Sequence, residues 1–571
     1  MGMAPRIRAL GVLGRLALPA VGLALAVAAA PAAVSAGSAP IEVNYQDPIT
    51  AAPPIQRPQT ARCTVQLMRH DFAFSFGKPF VGTFTPPATC PGPWSMVVMD
   101  WTGSIAGRQF DRLGAVWIGG VEMLRLTTPE PDPAGITWHV EKDVSEYSPV
   151  LRRQQTVVTD LGNLIDSTFT GIFHVTLSLT FYEADGRHPA AAAPSQVVPI
   201  SAGTRGPAWF FLNSASDQAS ATLDLPTNLT RARLQVYASS HGCEEQWFTN
   251  VPDPYALGHP AAGLCGGGAF RELQVLVDGT LAGVATPFPV IYSGGLNPFM
   301  WRPIPSVGQF DIPPYLVDLT PFVGLLTDGH PHAIAMRVAN DEGYWPVDGD
   351  LLLDQDPGAA RTHGQLVRST LQQQPRTQLA QTSAGGVDRL VTTVSRSWVT
   401  EGFVDTSAGR IVTRVEQEMR TVNDQRNTVS GANVRQVVDQ RQHTRTSTIV
   451  SGRGDPSRVD VVADYPLALT EDFSVQTQPN GHPSFTLRSR VDVALRLARL
   501  GGDADGARSQ LDDHVVASAL LVRDTATGAN LVADGTDSEH YVTGAERSCF
   551  DHMIEAAHGF VVENRTRHGC E

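Results

Sequence analysis

The chain has 571 residues, 42% of them hydrophobic and 18% charged, a balance that excludes a mostly disordered or collagen-like polymer. The formal net charge is −14. A nucleic-acid binder needs a basic face to meet phosphates, so no nucleic-acid partner is expected.

At the N-terminus, Arg6, Arg8 and Arg15 lead into an apolar run over 16–30, and Val34-Ser35-Ala36 supplies small residues for cleavage. This pattern reads as a secretory signal peptide over 1–36. No later stretch approaches the roughly eighteen apolar residues of a membrane span. The expectation is a secreted, extracellular protein with no stable membrane insertion after signal cleavage. Export makes the six cysteines meaningful as a disulfide set, although sequence alone admits many pairings. The first choice is local: Cys63 with Cys90, Cys243 with Cys265, and Cys549 with Cys570. Metal ligation is disfavoured by the lack of any CxxC.

Residues 37–60 are rich in Pro, Ala, Thr and Gln and read as an extended linker. From 61 the chain reads as strands. Phe173 to Phe181 alternates apolar and polar residues, which places one face in a core and the other in water. Leu273, Val275 and Val277 alternate up to the hairpin signal Asp278-Gly279. Phe485 to Leu497 holds one parity over one long strand or two. No long amphipathic helix is legible. Short strands with Gly and Pro at the turns point to an all-β fold of jelly-roll β-sandwiches.

An internal repeat supports two of them. Arg112 to Gly120, ending in Thr128-Pro129, matches Arg271 to Gly279, ending in Thr286-Pro287. Asp143-Val144-Ser145-Glu146-Tyr147 then echoes Asp318-Leu319-Thr320-Pro321-Phe322. The expected domains are two tandem antiparallel jelly rolls, over 61–205 and 206–358. A C-terminal β-rich region with an Arg/Gln-rich wet face follows over 359–571.

Neither a G-x-S-x-G elbow nor HExxH occurs. His330-Pro331-His332 sits at a turn before a strand and reads as structural. What remains is acidic and aromatic residues in loops: Gln109-Phe110-Asp111-Arg112, His241 to Phe248, Gly294 to Pro303, and Trp138 with Glu141. Trp rings in polar loops suit sugar faces, and carboxylates held apart suit acid/base work on water. Asp111 aligns with Phe270 in the repeat. The carboxylate therefore belongs to one copy only, as expected of a residue doing chemistry rather than repeating a fold constraint.

These blocks carry a resemblance. The stretch Gly107 to Arg112, Trp117 to Glu122, Thr127-Thr128-Pro129-Glu130-Pro131, Lys142 to Ser145, Glu244-Glu245-x-Trp247-Phe248, Phe270-Arg271-Glu272, Pro287 to Gly295 and Trp301-Arg302-Pro303-Ile304 is similar to the peptide-N4-(N-acetyl-β-glucosaminyl)asparagine amidase A family. The family usually reads Asp-Glu-Phe-Trp where this chain has Glu244-Glu245-Gln246-Trp247. The resemblance implies an amidase that hydrolyses the amide joining N-acetylglucosamine to asparagine in N-glycosylated proteins or peptides, with no metal or cofactor. It implies Asp111 and Glu245 as catalytic acids. It also implies Arg112, Trp138, Glu244, Trp247, Trp301 and Arg302 as substrate-binding residues. The alternative is a non-catalytic carbohydrate-binding jelly-roll protein using the same aromatics.

Overall fold

A computed structural model describes residues 44–203, 208–452, 454–502, 508–545 and 548–568. The expected signal peptide and Cys570 lie outside these residues. The described chain is almost wholly antiparallel sheet.

The first eight strands are β1 (Arg62–Phe72), β2 (Phe80–Phe84), β3 (Trp94–Ile105), β4 (Leu113–Ile118), β5 (Val121–Thr127), β6 (Ile136–Asp143), β7 (Gln155–Leu161) and β8 (Phe173–Glu183). They form two four-stranded sheets, ordered β1-β8-β3-β6 and β2-β7-β4-β5. Alternation explains the layering. Phe173, Val175, Leu177 and Leu179 of β8 face inward while His174 faces water. They pack with Val116, Ile118, Leu124 and Val157 of the opposite sheet in one core.

The next strands are β9 (Gln196–Ile200), β10 (Phe210–Leu212), β11 (Ala219–Leu223), β12 (Leu229–Ala238), β13 (Glu272–Val277), β14 (Thr280–Ala285), β15 (Tyr315–Asp318), β16 (His332–Ala339) and β17 (Trp345–Gln355). Their sheets are ordered β10-β17-β12-β15 and β11-β16-β13-β14. Subtracting nine from each number gives the order of the first sandwich, so the repeat read in the sequence is a repeat of topology. The hairpins agree in detail. Gly119 and Gly120 (φ 64° and 86°) turn β4 into β5, and Asp278 and Gly279 (φ 48° and 76°) turn β13 into β14. Both turns need two left-handed residues, which is the two-residue hairpin solution. The second echo also holds. Asp143 Oδ1 accepts the Ser145 N–H at 2.9 Å and Asp318 Oδ1 accepts the Thr320 N–H at 3.0 Å. Each opens a 3₁₀ turn that runs into a four-residue helix.

Two boundaries differ from expectation. β9 falls inside the span 61–205 but pairs with β17 of the second sandwich. Residues 44–60 are no free linker. Tyr45 and Ala51 are buried, the Ile49 N–H donates to the Pro303 carbonyl at 3.1 Å, and the Ala51 N–H donates to Glu539 Oε2 at 2.6 Å. With the Tyr45 N–H donating to Asp132 Oδ2 at 2.8 Å, backbone polar groups in a proline-rich stretch find partners in three different parts of the fold, which composition alone does not foretell.

The C-terminal region is an 11-stranded antiparallel sheet from His363–Ser369 to Phe560–His568. The segment Phe485 to Leu497 is one strand, Pro483–Gly501. Val438, Leu467, Leu469, Val491, Val493 and Val515 join the core of the second sandwich, so the sheet is a wall of that sandwich. The disulfides Cys63–Cys90 and Cys243–Cys265 are present. Among the described residues, no helix is long and apolar enough to cross a membrane.

Glycines set the distance of the wall. A Cβ on Gly402 would lie 2.0 Å from the Pro321 carbonyl oxygen, and one on Gly324 would lie 2.1 Å from the Gly364 carbonyl carbon. Backbone meets backbone there, with no flexible side chain to give way. The substitution Gly402→Ala is expected to cost about 1–3 kcal/mol through overpacking. The check is a lower urea midpoint with an unchanged m-value.

Candidate functional site

The β4–β5 hairpin presents two carboxylates at its open end. Asp111 and Arg112 lead into β4, and Glu130 lies just beyond β5. The ends are held together because the Arg112 N–H donates to Thr128 Oγ1 and the Thr128 N–H donates to the Arg112 carbonyl, both at 3.0 Å. Pro129 and Pro131 bracket Glu130 and restrict its backbone.

The second sandwich supplies the facing side. Gly294 donates its N–H to Asp111 Oδ2 at 3.2 Å. A Cβ there would lie 2.7 Å from Asp111 Oδ1 and 3.0 Å from Glu130 Oε1, so both acids converge on this bare backbone. Glu245 follows the 3₁₀ turn Gly242–Glu244 after β12. The Tyr292 hydroxyl donates to the Ser240 carbonyl at 3.0 Å, and Ser240 Oγ donates to the Glu245 carbonyl at 3.3 Å. These bonds tie the Glu245 loop to the segment that carries Gly294.

The three acids are half-buried and crowd one another. Burial raises the Asp111 pKa, opposed by the Gly294 N–H and the Arg112 charge. Burial pushes Glu130 up to about 7, with Arg302 opposing and Asp111 adding to the rise. Burial, then the Asp111 charge, pushes Glu245 up to about 8. Asp111 is thus the charge common to both neighbours and lies between them electrostatically.

The two flanks differ. On the Glu130 flank, Arg302 Nη2 meets Glu130 Oε2 at 3.3 Å, and the charge of Arg523, from the C-terminal sheet, acts on Glu130. The Tyr45 ring lies 5.1 Å from the Arg302 guanidinium, and its hydroxyl donates to the Glu130 carbonyl. The Ile304 N–H donates to Asp537 Oδ2 at 2.9 Å, which anchors the Arg302 loop on the C-terminal sheet. Arg112 Nη2 donates to Gln109 Oε1 at 2.7 Å. The Nε–H groups of Arg112 and Arg302 are buried without a partner among the described residues. On the Glu245 flank lie His241 and Tyr344, and burial pushes the His241 pKa down to about 4.

The remaining expected residues are turned inward. Trp138, Trp247 and Trp301 are 2%, 1% and 3% exposed. Trp138 packs over Gly103, Trp247 sits in the second core, and Trp301 donates Nε1–H to the Gly295 carbonyl at 3.0 Å. Their faces are covered by protein, so the expectation that they meet a sugar is corrected to a packing role. Glu244 is fully buried, bonded to Arg271 through both carboxylate oxygens and accepting Trp345 Nε1–H at 3.1 Å. It too is corrected from substrate contact to a structural ion pair. Glu130 was missed as a site residue, yet the repeat held the signal. Thr128-Pro129-Glu130-Pro131 aligns with Thr286-Pro287-Phe288-Pro289, so Glu130, like Asp111, replaces a phenylalanine.

Asp100, His139 and Glu141 lie close enough to hold a metal ion. Arg57 Nη2 already bridges their carboxylates, at 2.7 Å from Asp100 and 2.6 Å from Glu141.

Fold and crevice define an all-β protein of paired sandwiches whose seam gathers three acids. The chain belongs to the peptide N-acetyl-β-D-glucosaminyl asparaginase amidase A family, whose model matches residues 50–372. It is 38% identical over 387 residues to the peptide-N4-(N-acetyl-β-glucosaminyl)asparagine amidase A of Prunus dulcis, covering 64% of this chain and 66% of that relative's length. Similar solved structures include PNGF-II, at 15% identity and a TM-score of 0.37 over 52% of this chain and 65% of that one. They also include PNGase F, a glycosylasparaginase from Flavobacterium meningosepticum, at 14% identity and a TM-score of 0.35 over 52% of this chain and 96% of that one.

Two neighbouring glutamates should behave in opposite ways. Glu244→Ala leaves Arg271 buried and unpaired, and is expected to cost about 3–5 kcal/mol in denaturant unfolding. Glu245→Gln removes a crowded charge. A carboxyl whose pKa rises to about 8 on folding binds more protons in the native state, so its contribution to stability falls as pH rises from the unfolded value towards the folded one. The melting temperature of Glu245→Gln relative to wild type should therefore increase from pH 5 to pH 9. A difference that is flat or reversed across that range contradicts the crowding.

Proposed function

We propose that the protein is an exported amidase that releases intact N-glycans from glycoproteins or glycopeptides. It would hydrolyse the side-chain amide between N-acetylglucosamine and asparagine. The observation that supports this most directly is the convergence of Asp111 and Glu130 on the bare Gly294 backbone, with Glu245 near enough to feel the Asp111 charge, in a chain of the amidase A family. Amide hydrolysis needs a base for water, an acid for the leaving nitrogen and donors for the oxyanion, and each has a candidate here.

In this reading Asp111 takes a proton from water, and the hydroxide oxygen bonds to the amide carbon. The developing oxyanion accepts from a guanidinium N–H of Arg302 or Arg112. Glu245, still protonated at neutral pH, gives its proton to the nitrogen as the C–N bond breaks. The products are an aspartyl side chain and a glycosylamine. Glu130 and Arg302 hold each other beside Asp111 and keep a proton or a positive charge near it.

Incubation with a denatured N-glycoprotein tests the proposal, with glycan release and the Asn-to-Asp mass change as the expected result. Retention of glycoprotein without cleavage would replace the amidase with a carbohydrate-binding protein. Asp111→Asn, with its fold verified by circular dichroism, is expected to lose at least roughly two orders of magnitude in kcat. Near-normal release by this variant ends the assignment of Asp111.

A further inference from the structure

Outside the acids themselves, the crevice has an aromatic edge that the mechanism does not use. Phe211 on β10 is 49% exposed and Tyr344 is 38% exposed. Their ring centroids are 6.3 Å apart. Tyr344 lies 5.1 Å from the His241 ring, which lies 5.5 Å from Tyr292. The four rings therefore form a row from solvent to the loop that carries Glu245.

The row is held rigidly. Phe211 is in register with Pro346, and the His241 N–H donates to the Tyr344 carbonyl at 3.1 Å. A Cβ on Gly343 would lie 2.8 Å from Glu244 Cγ and 3.2 Å from the His241 carbonyl oxygen, so the segment before Tyr344 is pressed against the Glu245 loop. Adjacent half-exposed rings beside a polar crevice mark a contact surface rather than a core.

Charge decides what the surface suits. His241, pushed down to about 4, is neutral at working pH, so this flank presents neutral rings. The opposite flank presents Arg302 and Arg523 to Glu130. Guanidinium groups suit carbonyls and carboxylates, which a polypeptide supplies. Uncharged ring faces suit the apolar C–H face of a neutral pyranose.

We propose that Phe211 and Tyr344, at the solvent end of the row, form a stacking subsite for neutral sugar units of the glycan beyond its two innermost residues, so that the substrate lies with its glycan across the Glu245 flank and its peptide towards the arginines. This rests on the amidase reading above.

The test uses Tyr344→Ala, Phe211→Ala and the double variant of the full chain. Three glycopeptides serve as substrates: one with a whole neutral N-glycan, one trimmed to the two innermost N-acetylglucosamines, and one with the whole glycan on a shortened peptide. Loss of a stacking partner should raise KM for the whole glycan by roughly three- to ten-fold, with kcat nearly unchanged. The trimmed substrate should be indifferent, and shortening the peptide should not alter the effect. Equal losses on whole and trimmed glycans, losses that follow peptide length, or no loss would each overturn the subsite. Calorimetry of the released glycan on Asp111→Asn protein gives a readout without turnover. Weakened binding on adding Tyr344→Ala supports the subsite, and unchanged binding refutes it. Wild-type protein that binds the glycan through these rings yet never cleaves would sink the amidase reading alone.

Discussion

One guanidinium governs how the two sandwiches meet. Arg125, on β5, is fully buried. Its Nε and Nη2 donate to the two oxygens of Glu122 at 2.7 Å each, and its Nη1 donates to the Pro346 carbonyl at 2.9 Å across the seam. Its cation also faces the rings of Trp209 and Tyr237, at 5.6 and 5.4 Å. Asp348 and Asp350 of β17 close the cluster: Asp348 accepts the Trp117 indole N–H, and Asp350 accepts the Glu122 backbone N–H at 3.3 Å. Three buried carboxyls around one cation cannot all be ionised cheaply, and burial holds their pKa values high. The directional bonds of this cluster, rather than apolar area alone, fix the angle between the sandwiches. Asp111 comes from one and Glu245 from the other, so that angle decides whether the site exists.

The crevice repeats the theme in wetter surroundings. Asp111, Glu130 and Glu245 gain nothing from one another as anions. They are held because the hairpin end, the Gly294 backbone and the Tyr292–Ser240 bond leave them no other place. Crowding has a chemical use, since acids this close cannot all ionise together, and Glu130 and Glu245, pushed up to about 7 and about 8, keep protons towards neutrality. The C-terminal sheet belongs to this arrangement through Asp537 and Arg523. The N-terminal strap belongs to it through Tyr45, which touches both Glu130 and Arg302. A site that draws on four parts of the chain is sensitive to packing far from the acids.

Local chemistry was the legible part of the sequence. Gly119-Gly120 and Asp278-Gly279 announce hairpins because few other residue pairs take two left-handed conformations. Strand alternation marks Phe173 to Phe181 because one face must be dry. Asp111 stood out because its repeat partner is a phenylalanine. The tryptophans were misplaced because indole chemistry is equally suited to a sugar face and to a core, and only packing tells Trp247 from an open platform. Glu244 and Glu245 are indistinguishable as letters. One step along the 3₁₀ turn sends the first to Arg271 and leaves the second at the crevice. The strap at 44–60 read as a linker because proline removes donors, and the few that remain bond to residues very distant in sequence.

The repeat also explains why, among the described residues, the hairpin end carries an acid pair in one copy and not in the other. In the first sandwich the open end of the β4–β5 hairpin carries Asp111 and Glu130 beside the crevice. In the second, the matching positions are Phe270 and Phe288, both buried. Phe270 packs with Val394 and Met419 of the C-terminal sheet, and Phe288 lies 5.2 Å from the Tyr465 ring. The same hairpin end therefore serves as a docking point for the wall in one copy and as an acid pair in the other. Carboxylates at 270 and 288 would have to be desolvated beneath the wall, and phenylalanines at 111 and 130 would strip the crevice of its acid pair. The C-terminal sheet thus separates the two copies physically: where it covers the hairpin end the repeat builds a core, and where it only reaches in with Arg523 and anchors the Arg302 loop through Asp537 the hairpin end keeps an acid pair at the crevice.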